Sequence, residues 1–438
     1  MRLAMAAVVV LAGLLMLPTL IWGPAPIDSA VYNYVWTKQF GEALGQGVMY
    51  PRWLPGSFEG LGSPTFYFYP PLAFYVSGLL QLSGLTTLQA IAGTALLALL
   101  ASGLSMAAWL RFKGANPLWA LLYMAAPYHL ADWYQRAALA EFMSFAWLPL
   151  IALAIEAQPR RWATPLLAVS FAGLTMTHLP MAVLAGVGLI LPMIAFRREH
   201  LAAYLLAGML GFGLSAAYLL PALTLQHHVS ISLMWPPYFQ PATWSPWGPH
   251  DIGWVVPMAA ASVALAAARS RFWFLLTLVL AAMSLALIPI IWNVPVLRQV
   301  QFPWRLLAIV EFAAVTAVAT SRPRAWALAL AFAVAALSWG RLIGVVFVSL
   351  QNTYPAEIDQ TLPDAPEYLP AGSDLAAFGP SNGRVKAQAV APATLTDLPT
   401  PQVSWGAWIS LASAALLSGL ALAPHLAAMR WKRRLGAD

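Results

Sequence analysis

Apolar runs long enough to cross a bilayer follow one another along most of the chain, and basic residues gather in every second gap between them. A hydrocarbon core about 30 Å thick takes roughly 20 helical residues. Runs of about that length lie at 3–22, 87–110, 116–131, 138–157, 163–179, 181–196, 201–221, 252–268, 272–291, 303–320, 325–348 and 405–428. They do not alternate apolar and polar residues as the strands of a membrane barrel do. Of the 438 residues 61% are apolar and 9% charged, against roughly 25% charged in soluble domains. The expected fold class is an all-α integral membrane protein with about 12 transmembrane helices.

The basic clusters are Arg2, Arg111/Lys113, Arg160/Arg161, Arg197/Arg198, Arg269/Arg271, Arg322/Arg324 and Arg430/Lys432/Arg433/Arg434. All can be cytoplasmic at once, which puts both termini in the cytoplasm. Their placement assigns the net charge of +7 to topology and leaves no nucleic-acid partner to expect. Residues 1–22 read as a retained first span, longer than a signal h-region; cleavage near Ala25 is the alternative. Residues 65–84 are apolar enough to span, but counting them would invert the loops that follow. They are expected to form a helix at the outer interface, started by Pro70-Pro71, with Tyr67, Phe68, Tyr69, Phe74 and Tyr75 in an aromatic belt.

The outside then receives 23–86, 222–251 and 349–404, with most of the acidic residues. The expected organisation is a membrane domain over 1–348 that includes the outer loop 23–86, a short outer segment over 349–404, and a last helix with a basic cytoplasmic tail over 405–438. Within the outer segment, residues 351–404, rich in Pro and acidic residues, are expected to be a small or poorly ordered outer element. With no Cys, thiolate metal sites and Cys nucleophiles are excluded. The cytoplasmic loops are short and no GxxxxGK[ST] occurs, so an ATP-driven machine is not expected on this chain. No internal repeat is visible.

The informative stretch is 26–72, PIDSAVYNYVWTKQFGEALGQGVMYPRWLPGSFEGLGSPTFYFYPPL. Asp28 lies just beyond the first span, at the start of a helical pattern that Gly45 and Gly47 end. As an N-cap it would only start that helix. As an ionisable residue at the mouth of a bundle, before a loop stiffened by Gly, Pro and aromatics, it is a candidate functional group.

An Asp after the first span, then YPRW (50–53), G.G.P (60–64) and FYPPL (68–72), resembles a bacterial multi-pass membrane family. It is named for a 6-pyruvoyl-tetrahydropterin synthase-related domain; the name does not imply pterin chemistry. The chain also looks like the wider set of C-type (GT-C) glycosyltransferases and YfhO-like membrane proteins. Further resemblance lies in 128–150, in Thr177-His178-Leu179-Pro180, in QFPWRL (301–306) and in PEYLP (366–370). Where the family pattern places a His a few residues after the Asp, this chain has Val31-Tyr32-Asn33. Full-length relatives often carry a larger domain after PEYLP, where this chain has a short segment.

The resemblance implies a GT-C-like bundle in the bacterial cytoplasmic (inner) membrane. It implies transfer of a sugar from a polyprenyl-phosphate donor, at the outer face, to a lipid-linked glycan or protein acceptor. Asp28 matches the family's general base. Alternatives are a transporter or flippase of lipid-linked sugars and a non-catalytic scaffold for envelope assembly. The expected partners are membrane lipid, the donor and the acceptor. No cofactor is expected, and the lack of a DxD in the first loop argues against a divalent metal.

Other residues carry two readings each. Arg305 could grip a phosphate or snorkel at a span end. Arg52 could staple its loop or contact a phosphate. Arg136 and Glu141, five apart, do not align as an i,i+4 pair on one helix and could simply pair with neighbours. His178 could be a buried, backbone-bonded His or an outer-face group that holds phosphate or relays a proton. His227-His228 is a weak metal pair, and Asp251 could serve as a second carboxylate. Glu311 sits two turns inside a span, where a charge needs a partner or a wet cavity. Trp235, Trp244, Trp247 and Trp254 read as interfacial anchors more readily than as sugar-stacking platforms.

Overall fold

The computed structural model describes residues 1–267, 270–321, 323–374 and 390–434, with side chains up to residue 422. Arg269, Arg322 and part of the outer segment fall outside these residues, as do the side chains of the basic tail.

The protein is a multi-pass, all-helical membrane protein, and each of the expected spans is helical. Among the described residues, five helices are long and apolar enough to cross a membrane, by length and composition alone: Arg2–Trp22, Thr87–Phe112, Leu139–Glu156, Ala325–Ser349 and Pro401–Leu422. The other spans are shorter or interrupted, and the interruptions have local causes. Proline lacks an N–H and forces the residue before it out of the helical region. Accordingly Ala126 and Phe302, each directly before a Pro that opens a helix, are extended, while His178 is extended as the N-cap of Leu179–Ala185. The run at 116–131 therefore splits into Ala120–Met124 and Pro127–Tyr134. The segments Leu179–Ala195 and Arg198–Leu214 meet at a bend of 104° at the Arg197 turn.

Leu307–Ala319 is the innermost helix, with every residue from Leu307 to Val318 buried. A helix apolar on every side but for Glu311 and Thr316 suits such a position. Ala325–Ser349 exposes Trp326, Leu330, Phe332, Leu337, Ile343 and Phe347, the surface expected against lipid tails. Leu72–Leu82, capped by Pro71, has only 11 residues and is too short to span. It crosses Ala30–Gly45 where Gly41 meets Gly78: a Cβ on Gly78 would sit 3.4 Å from the Gly41 Cα. The expected aromatic belt is corrected here. Tyr67 and Phe74 are fully buried, because these rings point inward onto Ala30–Gly45 and the outer segment.

The two ends of the bundle differ. At one, Lys113 pairs with Glu156 at 2.6 Å, and Arg160 lies over the Phe112 ring. At the other, the three long segments pack together. Trp36 Nε1 and Thr65 Oγ1 donate to the buried carboxylate of Asp364 at 2.8 and 2.7 Å, and Tyr34 and Lys38 reach Asp359. Tyr67 donates to the Thr396 carbonyl, and Val229 bridges to Pro370. The described parts of 349–404 thus form a small packed element on the first loop.

Candidate functional site

The loop-rich end holds a cluster of charges buried among helix ends. Asp132 is 0%, Glu141 1%, His178 6%, and Arg136 and Arg305 each 7% exposed. Glu141 is the hub. Its Oε2 accepts from Arg136 Nη1 at 2.9 Å and from Arg305 Nε at 3.0 Å, and its Oε1 accepts from the Tyr128 hydroxyl at 2.6 Å. Arg136 Nη1 also donates to Asp132 at 2.6 Å and to Tyr128 at 3.1 Å. Arg305 Nη1 donates to the Val300 carbonyl at 2.6 Å. Two cations and two carboxylates balance, which is how buried charge is tolerated.

Arg136 and Glu141 pair despite their spacing because they stand on different elements. Pro127–Tyr134 ends, a turn with Ala137 at φ 47° reverses the chain, and Leu139–Ser144 begins. His178 caps Leu179–Ala185, its Nδ1 accepting from the Met181 N–H at 3.3 Å. The ring proton is therefore on Nε2, which faces Glu141 Oε2 at 3.9 Å.

Asp28 sits over this cluster. The Ser29 N–H donates to the Arg136 carbonyl at 3.2 Å, and Asn33 Nδ2 to the Ala137 carbonyl at 2.5 Å. Asp28 does not hold the N-cap: Ser29 holds that position of Ala30–Gly45, and its side chain makes no cap bond. Asp28 has φ 40°, and Gln301, whose side chain approaches Arg305, has φ 72°. With Ala137, three left-handed non-glycine residues ring one site, the kind of strain that persists where surrounding structure holds it. Asp28 keeps an exposed surface, yet the crowding protein pushes its carboxyl above the usual range. Arg136 and Arg305 pull it back, and Glu141 adds to the rise. We read this as a carboxyl at the mouth of the cluster, open on one side only.

The structure thus brings together Asp28, Arg136, Arg305 and His178. It leaves Arg52 elsewhere: its Nη2 bonds the Ala217 carbonyl at 2.9 Å and its guanidinium lies over the Tyr50 ring. Glu311 does not line the cluster. Its two oxygens accept the Tyr128 and His129 N–H groups at 2.6 and 3.0 Å, so it caps Pro127–Tyr134 from a neighbouring helix. Asp132 and Tyr128 escaped the sequence reading. The signal available was ionisable groups crowded into 128–141 between apolar runs.

Beside Arg305, Trp244 is buried edge-on to Trp304 at 4.5 Å, and Phe302 stacks on Trp304 at 4.5 Å while both Arg136 and Arg305 approach its face. Trp244 and Trp254 are therefore core residues, not interfacial anchors; Trp247 is exposed. His228 is taken up by Thr394 at 2.8 Å. Among the described residues no group of three His, Asp or Glu could hold a metal ion.

No family model and no curated protein matches this chain. Among solved structures, it is similar to the cryo-EM structure of arabinofuranosyltransferase AftD from mycobacteria, at 16% identity and a TM-score of 0.49. The match covers 82% of this chain and 28% of that one, so the chain spans less than a third of that protein's length. A likeness of this size adds no weight to a functional reading.

Proposed function

We propose that the protein is a C-type glycosyltransferase-like enzyme that moves a sugar from a polyprenyl-phosphate donor to a lipid-linked glycan or protein acceptor at the outer face of the bacterial inner membrane. The sequence resemblance suggests the reaction, and one observation supports it: a strained, crowded Asp28 over a buried pair of guanidiniums. A carboxyl held above its usual range is a stronger base than a free one. Asp28 takes the proton of an acceptor hydroxyl, and the oxygen attacks the anomeric carbon of the sugar. The bond from that carbon to the phosphate oxygen breaks, its electron pair stays with the phosphate, and polyprenyl phosphate leaves. Arg305 directs the charge that meets it, since Nη2 has no protein acceptor among the described residues. Arg136, already shared among Tyr128, Asp132 and Glu141, holds the hub in place, and His178 offers its Nε2–H beside it. The reaction as written uses no metal or cofactor.

The carrier reading for lipid-linked sugars draws on the 104° bend between Leu179–Ala195 and Arg198–Leu214, since broken helices line transport paths. That bend lies at the Arg197 turn, at the opposite end of Leu179–Ala195 from His178. The deciding experiment compares outer-face glycan synthesis in cells carrying wild type, Asp28→Asn or no protein, at matched membrane levels. Asp28→Asn is expected to behave as the deletion. Wild-type synthesis with Asp28→Asn, where the deletion has a phenotype, would sink the catalytic role and favour transport or scaffolding.

A further inference from the structure

Arg52 has a setting unlike that of the other buried guanidiniums. No carboxylate pairs with it among the described residues. Its centre lies 3.7 Å over the Tyr50 ring, and one N–H reaches the Ala217 carbonyl at 2.9 Å. Its Nε is buried without a partner, and so is the Tyr50 hydroxyl beside it. The groups whose charge interactions reach it are the phenols of Tyr50, Tyr67 and Tyr75, and burial works against its charge. Arginine does not escape this by losing a proton. A partly buried cation with one carbonyl and a ring face for company lacks a counter-charge.

The position along the bundle says what could supply one. The Ala217 N–H donates to Ser410 Oγ at 2.9 Å, and Gly406 lies against the Ala216 backbone. Ala217 is therefore level with residues 406–410 of the last helix. At that level the helix exposes Trp405 and Trp408. Exposed tryptophans on a span mark the depth of the lipid headgroups. The Arg52 guanidinium thus stands at phosphate depth, where the first loop, Ala216–Thr224 and the last helix meet.

We infer that Arg52, aided by the Tyr50 hydroxyl, binds the phosphoryl group of a lipid seated in this corner, at a site separate from the Asp28–Arg305 cluster. Planar guanidinium donors suit two phosphate oxygens, and the phenol adds a third donor. The inference does not rest on the glycosyltransferase reading, since binding is measured without turnover.

The test uses the full-length protein in detergent, with native mass spectrometry of wild type, Arg52→Gln and Tyr50→Phe. The probes are phosphatidylglycerol, undecaprenyl phosphate, a diacylglycerol that lacks the phosphate, and inorganic phosphate. Wild type is expected to hold one phosphoryl lipid and no diacylglycerol. Arg52→Gln should bind that lipid at least about tenfold more weakly, and Tyr50→Phe should fall between. Preference for undecaprenyl phosphate makes the corner a carrier-lipid site, and preference for phosphatidylglycerol a structural-lipid site; either supports the inference. Equal lipid retention by wild type and a monodisperse Arg52→Gln overturns it. If Arg52→Gln does not fold, Tyr50→Phe decides, and wild-type affinity there overturns it. Inorganic phosphate bound as tightly as the lipids overturns the lipid assignment.

Discussion

Asp28 differs from a helix cap in a way that stability can report. A cap lost to an unbonded side chain typically costs about 0.5–2 kcal/mol. Asp28 makes no cap bond, and its carboxyl is raised in the folded protein. A raised carboxyl favours the fold below its unfolded pKa, and that contribution is lost as pH rises through the folded value. At neutral pH an ionised Asp28 therefore weighs against the fold. Asp28→Asn, which also suits a left-handed backbone, is expected to melt no lower than wild type while synthesis falls by a factor on the order of 10²–10⁴. A lower melting temperature in matched detergent would restore the cap. The rate of synthesis should rise with pH as Asp28 loses its proton, with a midpoint above the ordinary carboxylate range. Glu141→Gln would leave the Arg136 and Arg305 charges buried without their shared anion, a loss of about 3–5 kcal/mol. Thermal unfolding followed by size-exclusion profile checks it; an unchanged profile would mean that the hub is not structural.

At the scale of elements, short polar contacts decide which helices meet. Pro127–Tyr134 begins beside Glu311, whose carboxylate takes the N–H groups of its first turn. Glu311→Gln keeps the shape but turns an amide toward one of those N–H groups, so a loss of about 1–3 kcal/mol is expected in the same unfolding measurement. At the loop-rich end, Asp364 ties PEYLP to Trp36 and Thr65. Asp364→Ala should release this segment, seen as faster backbone hydrogen exchange in 358–370 with exchange in Leu307–Ala319 unchanged. Equal exchange in both proteins would mean that apolar contacts such as Tyr368 on Phe68 hold the segment alone.

For the whole molecule the open quantity is direction across the membrane. The chain has no Cys, so single introduced cysteines report sidedness without background. A cysteine in place of the exposed Met49 is expected to react with a membrane-impermeant maleimide in intact cells. One in place of the exposed Arg198 should react only after permeabilisation. The reverse pattern would turn the molecule over and place Asp28 in the cytoplasm, against the positive-inside bias of its loops.

The positions of the spans could be read directly from the residues, because burying a backbone in hydrocarbon demands long apolar helices wherever it happens. The short helix after Pro71 could be read too, since the bias of basic loops left no room for another crossing. Asp28 stood out for the same local reason, an acid beside a span end. Which acid meets which base could not be read. Arg136 and Glu141 look mismatched on one helix and pair across a turn, and Arg305 reaches Glu141 from 164 residues away. Whether Glu311 was paired or faced a wet cavity could not be read either, and a neighbouring helix start decided it. Nor could it be read whether the segment around Asp364 was a small element or poorly ordered, since the donors that hold it come from the first loop. Hydropathy is a property of each stretch by itself, whereas a buried charge is settled only by the partners that the folded chain brings to it.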